Sequence, residues 1–147
     1  MRTRLRKLHA EGRTFVWRAK IGTVRGDGVD THRCIDVRVW GAGKNSRALV
    51  VDLLSKSMGV GWTPADTDGA YPDASDIRKL ITRGLELGWE VDARGGAFRL
   101  TESCGLDLPA FLITDRPQRP DAPDPTARVI QANEPHTTPN PSSTDQA

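Results

Sequence analysis

The chain has 147 residues, with 21 Lys/Arg against 19 Asp/Glu for a net charge of +2, and 37% apolar residues. This is the length of one domain with the composition of an ordinary globular protein on its polar side, and no run approaches the roughly 18 consecutive apolar residues of a membrane span. Two cysteines, Cys34 and Cys104, stand at no metal-binding spacing. They argue against a disulfide scaffold and fit a reducing, cytoplasmic compartment.

Residues 1–12 form a basic N-terminal segment, with Arg2, Arg4, Arg6 and Lys7. A secretory signal would continue into an apolar stretch, but Ala10, Glu11 and Gly12 follow, so a flexible basic arm is expected instead. Residues 14–21 alternate, with Phe15, Trp17, Ala19 and Ile21 on one side and Val16, Arg18 and Lys20 on the other. That is the period of a half-buried strand. Residues 33–40 repeat it: Ile35, Val37 and Val39 oppose Cys34, Asp36, Arg38 and Trp40. In 47–54 both faces carry apolar residues, as expected of a strand covered on both sides. Turn-forming residues at 25–30 and 41–46 join these runs into an antiparallel meander.

Residues 58–72 show no periodicity and carry Trp62 and Tyr71. Residues 74–87 place Ile77, Leu80, Ile81 and Leu85 on one helical stripe, with Asp73 and Asp76 spaced as a capping box and Gly88 at the C-terminal stop. Short strands are expected at 97–101 and 111–114. From Arg116 onward seven of 32 residues are proline, and such a tail lacks the apolar surface to offset its ordering entropy. The expected architecture is α+β: an antiparallel sheet of about five strands in the order β-β-β-α-β-β, one helix packed on a face, a single domain over 13–115 and a disordered tail over 116–147.

Charge is distributed unevenly: residues 1–47 hold 12 Lys/Arg against 4 Asp/Glu, and residues 48–115 hold 6 against 11. This asymmetry suits an anionic partner or complementary self-association. Arg18, Lys20, Arg38 and Trp40 fall on the strand face away from the helix, with Arg33, Lys44 and Arg47 at its ends. Cations neutralise phosphates and an exposed aromatic stacks on bases, so these seven residues form a candidate nucleic-acid surface. The competing reading is a solvated face on which Asp36 and Asp52 pair with the arginines across strands. Trp62 and Tyr71, if exposed, form a candidate protein-contact patch.

Other motifs are incomplete. Gly41-Ala42-Gly43-Lys44-Asn45-Ser46 lacks the first glycine of a phosphate loop, where Arg38 stands, and the Ser/Thr after the lysine, where Asn45 stands. It reads as a hairpin turn. Asp66-Thr67-Asp68-Gly69 lacks the later ligands of a calcium loop. His32 and Cys34 are two ligands where a structural zinc site needs four, and as a catalytic pair they lack an orienting acid. No metal, cofactor or catalytic residue is therefore assigned.

With the strands laid out, the chain resembles a family of small uncharacterised actinobacterial proteins over residues 13–115. The matching stretches include Arg33-Cys34, Arg38-Val39-Trp40-Gly41, Gly43-Lys44, Val51-Asp52-Leu53-Leu54-Ser55, Tyr71-Pro72, Asp76-Ile77-Arg78, Gly88-Trp89, Gly95-Gly96, Leu100-Thr101-Glu102 and Phe111-Leu112-Ile113-Thr114-Asp115. Some such proteins carry an integrase label, but the chain lacks the tyrosine nucleophile in an arginine-histidine setting that recombination needs. The resemblance implies a coherent domain and no activity. The expectation is a non-enzymatic interaction domain binding a protein partner, with nucleic-acid binding through the basic sheet face and the basic N-terminus as the alternative and no membrane association.

Overall fold

The computed structural model describes residues 5–28, 30–57 and 70–133. The protein is α+β, with six strands, two α-helices and one short 3-10 turn among the described residues. The first strand, β1 (Arg6–Ala10), pairs antiparallel with β2 (Arg13–Arg25). Residues 6–10 are therefore a sheet edge rather than part of a flexible arm. The cause is local. Glu11 and Gly12 both adopt positive φ, 51° and 78°, the backbone sign that lets a two-residue hairpin follow the strand twist. Leu8 then points inward at 6% exposure, and Arg78 and Thr82 reach across from a helix to His9 O and Glu11 Oε2.

Strand β2 pairs with β3 (Thr31–Trp40), and β3 with β4 (Ala48–Ser55), both antiparallel as expected. All eight residues of β4 are buried, which places it centrally. Its far edge is shared. β5 (Ala97–Arg99) pairs with Ala48–Val50, and β6 (Phe111–Ile113) pairs antiparallel with Leu53–Ser55. The β4–β5 pairing is parallel, so the sheet is mixed rather than wholly antiparallel. A parallel neighbour needs a long crossover, and the segment holding the first helix, α1 (Ala74–Glu86), is that crossover.

Helix α1 begins with the expected capping box. Asp76 N–H donates to Asp73 Oδ1 at 2.9 Å, and Asp73 N–H donates to Asp76 Oδ2 at 3.1 Å. It ends at Leu87, after which Gly88 takes φ 106°. Ile77, Leu80 and Ile81 are fully buried against Phe15, Trp17, Ile35, Val37, Val39, Leu49 and Val51. Ile21, expected in the same stripe, lies 48% exposed.

The sheet's second face has its own cover. Residues Pro125–Ala132 form a second helix, α2, inside the segment expected to be a disordered tail. Asp124 caps it, accepting from Thr126 N–H at 3.1 Å, and Pro125 occupies the first turn, where its missing N–H costs nothing. Val129 is fully buried with Val24, Cys34 and Leu54, and Leu112 packs alongside. Further ties are His32 Nε2 to Thr126 Oγ1 at 2.8 Å, Arg128 to Ile113 O at 2.6 Å and an Arg116–Asp27 ion pair. Residues 134–147 lie outside the described residues. Cys34 sits in the α2 cluster and Cys104 in the α1 core, so the two thiols are free and separated by the sheet.

Candidate anion-binding sheet face

The alternation that sends Phe15, Trp17, Ile35 and Val37 toward α1 sends every second residue the other way. Strand register then sorts those residues into rows across the sheet. One row runs Lys7, Val16, Trp40. The next runs Arg18, Arg38, Val50, Arg99, and the third Lys20, Asp36, Asp52. The fourth is Gly22, Cys34, Leu54, Leu112, the floor beneath α2. The second face is thus a polar band between two apolar patches. The α2 cluster lies on one side, and Trp40, Ala48 and Val50 on the other.

Within the band the charges are unequally satisfied. Arg99 Nη1 donates to Asp52 Oδ2 at 3.0 Å, and Gln118 Nε2 approaches the same oxygen at 3.4 Å. The Asp52 side chain is only 6% exposed. Burial pushes its carboxyl above the usual carboxylate range and the neighbouring Asp36 charge adds to this, while the Arg99 guanidinium pulls the other way. Asp36 sits directly between Lys20 and Asp52 in register. Among the described residues, no ion pair or side-chain hydrogen bond engages Arg18, Lys20, Asp36 or Arg38. The Nε–H of Arg38 is withdrawn from solvent and has no acceptor. Of the two acids, Asp52 therefore neutralises one arginine of this face, Arg99, across strands, while Asp36 leaves Arg18 and Arg38 uncompensated.

The seven candidate nucleic-acid residues do not all converge. Arg18, Lys20 and Arg38 stand together. Trp40 is 8% exposed and walls the band, so it offers no open ring for base stacking. Arg33 projects from the α1 side of β3, where its Nε donates to Ala70 O at 2.6 Å. Arg47 is engaged by Gly95 O at 3.2 Å and Glu90 Oε1 at 3.0 Å. Lys44 is exposed in the β3–β4 turn. Two further cations share the face: Lys7, from the basic N-terminal segment, and Arg99. Lys7 is identifiable once Leu8 is recognised as inward-facing. Arg99 carries no such signal, because its row depends on the parallel pairing of β5.

Of the candidate partner-contact residues, Trp62 lies outside the described residues. Tyr71 is 37% exposed, with its ring tilted 6.4 Å from Trp17. The Arg6 guanidinium lies 5.8 Å from the Trp17 ring and 5.7 Å from Tyr71. The 41–46 segment is a hairpin turn with Gly43 at φ 89° and Ser46 N–H donating to Gly43 O at 3.0 Å. Asp66–Gly69 lies outside the described residues, among which no cluster of metal-ligating side chains occurs.

Cys34 lines an open hollow of about 260 Å³ with Lys20, Asp36, Asp52 and Pro117. Burial, reinforced by the charges of Asp52 and Asp36, pushes its thiol up to about 12. A nucleophilic cysteine needs a lowered value and an electropositive setting, and the Nε2 of His32 is bonded to Thr126. No helix among the described residues is long and apolar enough to cross a membrane. Compared with protein-family models, curated proteins and solved structures, the chain matches none.

Proposed function

We propose that the chain is a non-enzymatic interaction domain, and that its second sheet face binds the phosphate backbone of a nucleic acid. The observation that carries this reading is the set of four cations, Lys7, Arg18, Lys20 and Arg38, that share one face over three adjacent rows and form no ion pairs among the described residues. Cations on a flat face bind phosphates without reading sequence. The burial of Trp40 argues against a base-stacking mode and for backbone contact.

The test is fluorescence anisotropy of labelled single- and double-stranded oligonucleotides across a salt series. Four phosphate contacts imply a log–log salt slope of about −3.6 on duplex, or roughly a hundredfold loss of affinity between about 50 and 200 mM salt. Arg38→Glu is expected to weaken binding to every sequence alike and to flatten the slope by about one unit or more. Absence of binding at low salt, or binding indifferent to Arg38→Glu, rejects the reading.

A protein partner is the second reading. It is favoured by the exposure of Ile21 at 48% and Tyr71 at 37% on the α1 side of the sheet. Loss of partner capture on Tyr71→Ala, with Arg38→Glu silent, would select it.

A further inference from the structure

We infer that Arg18 and Arg38 form a binding site for one phosphate group, held between their two guanidinium forks. This site deepens the proposed nucleic-acid reading, sharing its face and naming the groups that take the phosphate.

Three observations converge on it. First, Arg18 and Arg38 are direct cross-strand partners, so their Cβ atoms lie about 4.5–5.5 Å apart. Like charges in that position repel, and a sheet tolerates the pairing poorly unless an anion lies between them. Second, the third arginine of the same row, Arg99, closes an ion pair with Asp52. Arg18 and Arg38 do not, although Asp36 stands one row away on the same face. Third, the Nε–H of Arg38 is buried without an acceptor. Such a donor is costly to leave unmet, and a turn of the Arg38 guanidinium presents it to an oxyanion that supplies the missing partner.

The chemistry selects the ligand class. A guanidinium presents two parallel N–H groups to two oxygens of one anion. A carboxylate has two oxygens and satisfies one fork. Two opposed forks call for an anion with more oxygens, which a phosphate provides, and Lys20 lies on the diagonal from Arg38 to add charge. Val50, beside Arg38 in the same row, and Trp40, in the next row, are 1% and 8% exposed and limit solvent there, which strengthens the attraction. The same chemistry serves free phosphate, a small phosphorylated molecule or a backbone phosphodiester.

The test follows the arginine Nε–H resonances of the ¹⁵N-labelled full chain. Inorganic phosphate is titrated in, with sodium chloride of equal ionic strength as control. The Arg38 Nε–H signal, identified by its loss in Arg38→Gln, is expected to shift saturably with a dissociation constant on the order of 1 mM. That of Arg47, already bonded to Gly95 O, is expected to stay in place. Arg18→Gln is expected to weaken the effect about tenfold, and Arg18→Lys less, because it keeps the charge but loses the fork. An Arg38 signal that is unmoved by phosphate, or that moves equally with chloride, overturns the site, and the wild-type titration alone decides this.

A second titration with an unlabelled oligonucleotide separates the sources. Displacement of phosphate from Arg38 identifies the phosphodiester backbone as the ligand. A phosphate response with no oligonucleotide binding supports the site but rejects the nucleic-acid reading. Oligonucleotide binding that leaves the phosphate-loaded Arg38 Nε–H unmoved keeps the phosphate site and rejects the reading that this face takes the nucleic-acid backbone.

Discussion

Replacing Arg99 by Met is expected to destabilise the fold through the charge it leaves behind on Asp52. The substitution keeps an apolar stem on β5 and removes the guanidinium that donates to Asp52 Oδ2 at 3.0 Å. Breaking a fully buried ion pair costs roughly 3–5 kcal/mol. Here Asp52 is 6% exposed but Arg99 is 33% exposed, and the Gln118 amide stays beside the same oxygen. The expected loss is therefore about 2 kcal/mol, close to that of a hydrogen bond to a charged group. With a urea dependence of about 2 kcal/mol per molar, the midpoint falls by roughly 1 M at neutral pH. The pH dependence follows from Asp52. Its folded-state carboxyl already titrates above the unfolded range because of burial, and without Arg99 it rises further. A group raised in this way binds its proton more tightly in the folded state. The gap between wild type and variant is thus full at neutral pH and closes as pH falls through the raised folded value. In an Asp52→Asn background the same substitution is expected to cost under about 0.5 kcal/mol. An equal loss in both backgrounds, or a gap that widens in acid, refutes this account.

Three further outcomes follow from the packing. In the folded protein Cys34 is expected to resist iodoacetamide at pH 8 and to react on denaturation. Fast alkylation of native Cys34 would contradict a thiol pushed up to about 12. Since the unfolded thiol titrates at its ordinary lower value, stability from this group is present below about pH 9 and is lost as pH rises toward 12, which alkaline denaturation reads directly. At Gly41 an added Cβ would lie 2.3 Å from Val91 Cγ1 and 2.7 Å from Phe15 Cε2. Gly41→Ala is therefore expected to cost about 1–3 kcal/mol in thermal or urea unfolding, and a neutral result would show that this corner repacks freely. Val129→Ala removes a fully buried side chain from α2. A loss of about 2 kcal/mol, with amide protection lost first over 125–132, is expected. Unprotected amides there in the wild type would mean that α2 is not docked.

Much of the framework follows from short-range pattern. Strict alternation in 14–21 and 33–40 places Phe15, Trp17, Ile35 and Val37 on the core side and Arg18, Lys20 and Arg38 on the other. Asp73, Asp76 and Gly88 delimit α1 through hydrogen bonds and a backbone sign that involve only near neighbours. These are local rules, and they operate whatever the rest of the chain does. Two elements escape this reading although their signals are also local. A Glu-Gly hairpin turn precedes β2, and an Asp-Pro helix start lies in a segment whose proline content, averaged over its length, suggests disorder.

The site is different in kind. Its rows depend on register between strands that lie far apart in sequence. Arg18 opposes Arg38, Arg99 joins their row through a parallel pairing, and Asp52 is drawn to Arg99 rather than to the arginines of β2 and β3. The sequence by itself determines which side of each strand a residue faces, because side chains alternate along an extended backbone. Only the tertiary structure decides which residues meet. Burial of Trp40 and isolation of the Arg38 Nε–H both arise from long-range packing that no periodicity within a strand encodes.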